Sequence, residues 1–237
     1  DYYRHPHPGN IDLVYLFEHS SNIASAKIAQ RMPKQIQREI LHRFGIGSKT
    51  GVDLPGEAQG ILKSLKEWDE STHASIGYGY GIAVTPLQLA AAIAAIANDG
   101  IWTQPYVIQN NHQPVRRRVI SQKAANDTTD LLVKSIDSPK TSTVRLDGIK
   151  VAGKTGTSRR PNDNGIGYTN DRYTSFVGYY PANDPKVLML VVIDSPTQAE
   201  AWGSTVAGPI FKNIAQETIS YLGLKPATIA SEPTDPN

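Results

Sequence analysis

Apolar residues recur every three or four positions along the first two thirds of the chain and form short extended runs near its end. This pattern predicts helices over residues 10–17, 23–31, 33–44, 85–98, 121–136 and 207–222. Asn10 is the expected N-cap of the first helix. Gly45, Gly100 and Gly223 are the expected stops of three others, because glycine readily adopts the left-handed conformation that ends a helix.

The helices that begin near Thr85 and Ala207 carry further information. Thr85 is followed by Pro86 and Gln88, which are typical of the first turn of a capped helix. The rest of that helix is apolar on nearly every face and rich in alanine, which predicts a buried core helix with close neighbours. On the last helix, one stripe is expected to face the core: Ile210, Phe211, Ile214 and Thr218.

Three extended segments are predicted in the last third of the chain. Residues 144–158 form the first, and residues 173–180 and 187–194 form a hairpin. The last segment is apolar throughout, so we expect it to be covered on both faces. Helices combined with a hairpin indicate the α+β class, with an antiparallel sheet covered by helices in one domain over residues 1–224. Residues 225–237 carry three prolines and little to bury, which predicts a flexible tail.

Composition and charge exclude several classes of protein. Apolar residues make up 39% of the chain and charged residues 19%, a globular rather than a disordered composition. The net charge of +2 gives no reason to expect nucleic acid as a partner, so Arg116-Arg117-Arg118 is interpreted as a solvated turn. The absence of cysteine excludes disulfides, thiolate metal sites and thiol nucleophiles. His5 and His7 lie beside prolines, and no metal site is expected there.

One segment fits a phosphate-binding loop. Gly148 to Thr155 matches the pattern G-x-x-x-x-G-K-[ST], and the apolar run ending at Asp194 would supply a magnesium ligand. A phosphate loop must lead into a helix, whereas residues 156–165 are too rich in glycine and turn formers to form one. Nucleotide binding is therefore kept only as an alternative.

The same segment gives Lys154-Thr155-Gly156 on a strand, and Ser20-x-Asn22 lies far upstream. These are two of three motifs found in β-lactamases and penicillin-binding proteins. Lys49-Thr50-Gly51 is interpreted as a chance copy in a turn-rich loop. Further segments in a fixed order make nearly the whole chain resemble a class B penicillin-binding protein of the septal-division type: residues 19–23, 44–57, 81–89, 151–157 and 175–181.

The resemblance implies roles for the upstream motif and for the lysine. Ser20 would relay a proton between the family's catalytic lysine and the leaving group, and Asn22 would bind the amide of the donor peptide. Lys154 would supply positive charge toward the relay and the substrate carboxylate. From the residue types alone, Ser20 and Asn22 are better explained as helix caps than as site residues.

The resemblance also implies how the rest of the third motif binds substrate. Thr155 and Thr157 would hydrogen-bond the substrate carboxylate, and the backbone N–H of Thr157 would form half of an oxyanion hole. Gly153 and Gly156 would let the substrate backbone lie against the strand. Arg159 would make the wall of the pocket unusually basic.

The nucleophile of the family is missing from this sequence. No lysine has a serine three positions earlier, so the S-x-x-K motif is absent. We therefore expect this chain to be the C-terminal part of a transpeptidase domain, with the catalytic serine and lysine on another segment. The strand at 187–193 would then expose an edge where strands of the absent segment belong, and the chain would be stable only with its N-terminal complement.

The function implied by the resemblance is peptidoglycan cross-linking by serine acyl transfer from D-Ala-D-Ala stem peptides, without a metal or other cofactor. Implied partners are stem peptides, β-lactam antibiotics, the N-terminal fragment of the same protein, and division-complex proteins including a glycosyltransferase. The implied location is the extracytoplasmic face of the bacterial plasma membrane, with the anchor outside this chain. Alternatives are a D,D-carboxypeptidase or β-lactam sensor, a non-catalytic interaction fragment, and a P-loop NTPase.

Overall fold

The computed structural model describes residues 9–109, 113–162, 164, 167–198 and 200–225. His5, His7 and all but the first residue of the expected C-terminal tail lie outside these residues. Seven helices lie in the described ranges: α1 (Leu13–His19), α2 (Asn22–Gln30), α3 (Lys34–Arg43), α4 (Glu70–Ile76), α5 (Pro86–Ala97), α6 (Gln122–Asp137) and α7 (Ala207–Leu222). Seven strands accompany them: β1 (Ile61–Leu62), β2 (Ile82–Ala83), β3 (Ile101–Thr103), β4 (Arg116–Arg118), β5 (Ala152–Pro161), β6 (Tyr168–Tyr180) and β7 (Val187–Asp194).

The main sheet has the order β5-β6-β7, and both of its strand pairs are antiparallel. Lys154 lies opposite Val177, and Tyr180 lies opposite Val187. Two further antiparallel pairs, β1-β2 and β3-β4, form separate short ribbons. This arrangement of helices around an antiparallel sheet confirms the α+β class.

Each face of the main sheet packs against helices, because side chains alternate between the two faces along a strand. On one face Phe176 and Tyr180 pack edge-on against Phe211 of α7, with ring centroids 4.6 and 5.8 Å apart. On the other face Tyr179 is fully buried, and its hydroxyl lies 2.6 Å from the hydroxyl of Thr129 on α6. The sheet is therefore the middle layer, with α6 packed on β5 from one side and α7 packed on β6 and β7 from the other.

Helix α5 begins as predicted. Thr85 accepts a hydrogen bond from the amide of Gln88, and the Gln88 side chain accepts one from the amide of Thr85. Gln88 is fully buried, and its amide group also donates to the carbonyls of Ser48 and Gln59 at 2.6 and 2.8 Å. One buried side chain therefore caps the helix and holds the turn-rich segment before it.

Several predicted boundaries at the helix ends were wrong. Asp12, not Asn10, caps α1 through its carboxylate, which accepts from the amide of Tyr15. Helix α4 was not among the predicted helices, and Asp69 caps it by accepting from the amide of Thr72. Aspartate is a favoured N-cap residue, so both caps follow the ordinary propensity although neither was predicted.

The prediction of extended structure over residues 144–158 was wrong for the first half of that segment. Pro139–Val144 is a 3₁₀ helix, and β5 begins only at Ala152. The hydroxyl of Thr141 donates to the carbonyls of Ser135 and Ile136 and so continues the turn after α6. The apolar residues of this segment are buried in the core along an irregular path, and they do not pair as a strand.

Burial also differed from expectation on β7 and α7. No residue of β7 is fully buried, because the strand lies at an edge of the three-stranded sheet among the described residues. The predicted open edge is therefore present, but the prediction that both faces of β7 are covered was wrong. On α7 the buried residues are Ala207, Gly208, Phe211 and Ala215, whereas Ile210 and Ile214 are exposed.

Candidate active site

The junction between α1 and α2 places Ser20 in an unusual backbone conformation. Ser20 ends α1 with φ of 50°, in the left-handed region that is costly for a residue with a side chain. The next residue, Ser21, caps α2 by accepting from the amide of Ala24 at 3.3 Å. Ser21 is therefore the N-cap at this junction, and Ser20 is left as an exposed residue with its hydroxyl available for other contacts.

Lys154 lies on β5 and donates a hydrogen bond from Nζ to Oγ of Ser20. The two residues are 134 positions apart in sequence, so only the fold brings them together. Burial lowers the pKa of Lys154 to about 8, because the ammonium group is largely removed from water and no carboxylate pairs with it among the described residues. At neutral pH the lysine remains mostly protonated, and its charge points at the Ser20 hydroxyl.

Asn22 is the first residue of α2 and is exposed. Its side chain makes no hydrogen bond among the described residues. The structure therefore joins Ser20 with Lys154 but does not bring Asn22 into contact with either. Its position two residues after Ser20, at a helix N-terminus, leaves its amide group accessible from solvent.

The residues after Lys154 continue along β5 toward its outer edge. Thr155 and Thr157 share the opposite face of the strand from Lys154, and Gly156 lies opposite Ser175 of β6. A Cβ on Gly153 would lie 2.7 Å from the Phe176 ring. The sheet itself therefore requires a glycine at 153, independently of any bound peptide.

A loop that sequence reasoning missed contacts the end of this motif. The amide of Gly203 donates to the hydroxyl of Thr157 at 3.1 Å. Gly203 is buried, and a Cβ at this position would lie 2.7 Å from the carbonyl oxygen of Gly156 and closer still to that of Ser175. The loop before α7 is thus seated directly on β5 and β6. A glycine before a helix is too common a pattern to have indicated this contact from the sequence.

The far end of β5 is lined by aromatic and basic side chains. The amide of Arg159 donates to the hydroxyl of Tyr80 at 3.3 Å, and the ring of Tyr80 packs edge-on against Tyr168 at 5.2 Å. The Arg172 guanidinium lies 4.8 Å from the ring centroid of Trp202. Arg159 is exposed here, so the end of the strand carries positive charge next to an aromatic wall.

The structure also shows the surroundings of the phosphate-loop match, the second Lys-Thr-Gly sequence and the run of three arginines. Residues after Lys154 stay in a strand through Pro161, so this segment lacks the helix that a phosphate loop needs. The Lys49-Thr50-Gly51 copy lies in a loop, where the amides of Thr50 and Gly51 donate to the Glu57 carboxylate. Arg116–Arg118 was wrongly predicted as a turn, because it is strand β4 and pairs with β3.

The described residues include no candidate metal cluster and no candidate membrane-spanning helix. In the described parts of the chain, His, Asp and Glu side chains form no group of three that could hold a metal ion. None of the helices within those parts is long and apolar enough to cross a membrane.

Comparison with known proteins gives a consistent picture. A family model described as the penicillin binding protein transpeptidase domain matches residues 1–216. The "Probable peptidoglycan D,D-transpeptidase PenA" of Neisseria meningitidis is 32% identical over 223 residues, which cover 94% of this chain and 38% of that protein. The "Peptidoglycan D,D-transpeptidase FtsI" of Escherichia coli is 29% identical over 93% of this chain and 38% of its own length. The chain thus spans little more than a third of the curated relatives that it matches.

Solved structures resemble the fold over a similar range. The TP domain of Burkholderia pseudomallei penicillin-binding protein 3 superimposes with a TM-score of 0.82 and 32% identity, covering 90% of this chain and 65% of that one. Penicillin binding protein 3 of Mycobacterium tuberculosis, in complex with ampicillin, gives a TM-score of 0.84 and 27% identity over 93% of this chain and 53% of that one.

Proposed function

The chain belongs to the penicillin-binding protein transpeptidase family, and we propose that it forms the C-terminal part of a serine-type peptidoglycan D,D-transpeptidase domain. The observation that carries this proposal is the contact between Lys154 and Ser20, two motif residues that are distant in sequence and hydrogen-bonded in the fold. The domain would span residues 1–224, with the remaining residues as a tail. The two relatives named above are described as D,D-transpeptidases.

The proposed reaction is acyl transfer through an enzyme serine. The nucleophilic hydroxyl attacks the carbonyl carbon between the two terminal D-Ala residues of a stem peptide, and its proton passes to a base. The terminal D-Ala leaves as an amine, which must take up a proton. An amine of a neighbouring strand then attacks the acyl-enzyme, forms the cross-link and releases the serine.

Ser20 has the geometry of a proton relay in this scheme. Its oxygen accepts a hydrogen bond from Lys154, so its own O–H is free to donate to the departing amine. A positive charge on Lys154 makes the Ser20 proton easier to transfer and attracts the terminal carboxylate of the stem peptide. Asn22, exposed beside the relay, would hold the amide of the donor peptide.

The outer edge of β5 would hold the substrate. The hydroxyl of Thr157 accepts from Gly203, so its O–H can be directed at a substrate carboxylate, and Thr155 would supply a second hydroxyl. The backbone amide of Thr157 would be one oxyanion donor, and Gly156 lets the peptide approach closely. Backbone groups on an unpaired strand edge are well suited to bind an extended peptide.

The nucleophile itself must come from elsewhere in this proposal, because the sequence contains no S-x-x-K. An N-terminal fragment of the same protein is the expected source. β-Lactams would acylate the same serine, in keeping with the ampicillin complex of the mycobacterial relative. We place the domain at the extracytoplasmic face of the plasma membrane, among division proteins that include a glycosyltransferase.

Fluorescent-penicillin labelling, followed by a denaturing gel and intact mass, tests the proposal. This chain alone is expected to remain unlabelled. After mixing with a polypeptide that carries the upstream S-x-x-K segment, label is expected on that polypeptide, and Lys154→Ala in this chain is expected to reduce it. Label on this chain would place the nucleophile here, with Ser20 as the first residue to examine. No label in either chain, with the upstream segment shown to be folded and bound, would overturn the proposal.

A further inference from the structure

A groove outside the Ser20–Lys154 site lies between the C-terminal end of α3, the loop after it, and the β3-β4 ribbon. We refer to it as the ribbon groove. It has a volume of about 550 Å³. Four of its lining residues carry basic side chains and none carries a carboxylate: His42, Arg43, Lys49 and Arg117. Such one-sided charge in a concave surface concentrates positive potential within it.

Arg117 forms the partly buried wall of the ribbon groove. Its guanidinium lies 3.7 Å above the ring of Trp102, and its Nε and Nη2 both donate to the carbonyl of Arg43, at 3.2 and 3.1 Å. Burial lowers the pKa of Arg117, and no carboxylate pairs with it among the described residues. The carbonyl at the end of α3 offsets part of the charge, and the Nη1 hydrogens remain without a partner in the described structure.

Several acceptors around the ribbon groove are already engaged. The carbonyl of Gly51 accepts from the Gln104 side chain, and the side-chain oxygen of Gln104 accepts from the amide of Val115. The carbonyl of Arg43 accepts from Arg117, as described above. Donors remain available on Arg117 and on the exposed ammonium group of Lys49.

One acidic residue lies near the groove but does not face it. Glu57 is stabilised by the charge of Lys49, yet its two oxygens accept from the amides of Thr50 and Gly51 at 2.6 and 3.0 Å. These bonds hold the carboxylate against the loop, and Glu57 does not line the groove. Trp102, which also lines the groove, has a buried indole N–H without a hydrogen-bond partner in the described structure.

We propose that the ribbon groove is a binding site for an oxyanion, a phosphate or carboxylate group of a ligand that hydrogen-bonds Arg117 and Lys49. Arginine offers two parallel N–H groups to such a ligand, and lysine adds a compact positive charge. The proposal is independent of the transpeptidase assignment, because the ribbon groove shares no residue with the Ser20–Lys154 site.

Calorimetric titration of the full chain with inorganic phosphate, and separately with succinate, tests this site at constant ionic strength set by potassium chloride. Saturable binding of at least one anion is expected. Lys49→Gln is expected to weaken it by about 5- to 10-fold, since one charge-assisted contact is lost. Lys49→Arg is expected to retain it. Lys66→Gln, which removes an equally exposed charge elsewhere, is the matched control and should leave the affinity unchanged.

Each outcome decides the proposal. Stronger binding of phosphate identifies a phosphate ligand, stronger binding of succinate identifies a carboxylate ligand, and either supports the site. Equal weakening by Lys49→Gln and Lys66→Gln would show general attraction to surface charge and would overturn it. The absence of saturable binding for both anions would overturn it as well.

Discussion

Replacement of Lys154 by methionine is expected to stabilise the protein while abolishing its proposed chemistry. The side chain is held in a position where its charge is poorly solvated, and burial lowers its pKa from 10.5 to about 8. In the unfolded chain the same lysine is fully hydrated. Methionine has a similar length and no charge, so it fills the space without that cost.

The magnitude follows from linkage between protonation and folding. A pKa lowered from 10.5 to about 8 on folding corresponds to roughly 3 kcal/mol of lost stability at pH 7, where both states carry the proton. Between pH 8 and 10.5 the folded state has released the proton and the unfolded state has not, so the stability of the unmodified chain rises with pH. The penalty shrinks to about 1 kcal/mol at pH 10 and vanishes above the unfolded pKa.

The hydrogen bond to Ser20 offsets part of this gain, so a net increase of about 1–3 kcal/mol is expected for Lys154→Met at pH 7. Urea unfolding followed by circular dichroism, at several pH values from 7 to 10, measures it. Lys150→Met, at an exposed lysine a few residues earlier, is the matched control and should shift stability by less than about 0.5 kcal/mol at every pH. A Lys154→Met protein that is no more stable at pH 7, or whose gain does not decline toward pH 10, would refute the reasoning.

Other substitutions test separate parts of the structure. Gly203→Ala would place a methyl group against the backbone of β5 and β6, and is expected to slow penicillin acylation of the assembled domain by about 10- to 100-fold; an unchanged labelling rate would contradict the role of this loop. Ser20→Gly removes the left-handed strain and should leave thermal stability nearly unchanged, whereas Ser20→Ala should lower it by about 1 kcal/mol; equal melting temperatures would argue against strain. Phe211→Ala should cost about 3–5 kcal/mol in urea unfolding, because the ring is fully buried between the sheet and α7. Val192→Lys, on the exposed edge strand, should reduce self-association of the isolated chain in sedimentation experiments, and no change would mean that this edge does not drive association.

Several features that depend on neighbouring residues were predicted correctly, whereas features that depend on tertiary packing were predicted only in part. The capping box at Thr85 and the stop at Gly223 were predicted correctly, because a cap depends only on residues within one helical turn. The stripe on α7 was only partly correct. Ile210 is more apolar than Ala215, yet Ala215 is buried, because it lies one turn after Phe211 on the face of α7 that packs into the core.

The candidate site shows the same division. The motif residues Ser20, Lys154 and Thr157 were identified from the sequence through their resemblance to a family. Their contact partners were not all identified, since Gly203 meets Thr157 only because the loop before α7 folds over the strand. The pKa of Lys154 likewise depends on burial, which no spacing of residues along the chain expresses.

The sequence by itself determined most of the long helices, the β6-β7 hairpin, the fold class and the residue types that carry the proposed chemistry. These follow from periodicity, capping and short motifs, all of which act over a few neighbouring residues. Only the tertiary structure decided that Lys154 reaches Ser20, that β7 lies at an open edge, and that the basic residues around Arg117 line a groove. These features depend on which segments, distant in sequence, bury their surfaces against one another. The packing of the sheet and its helices decides this.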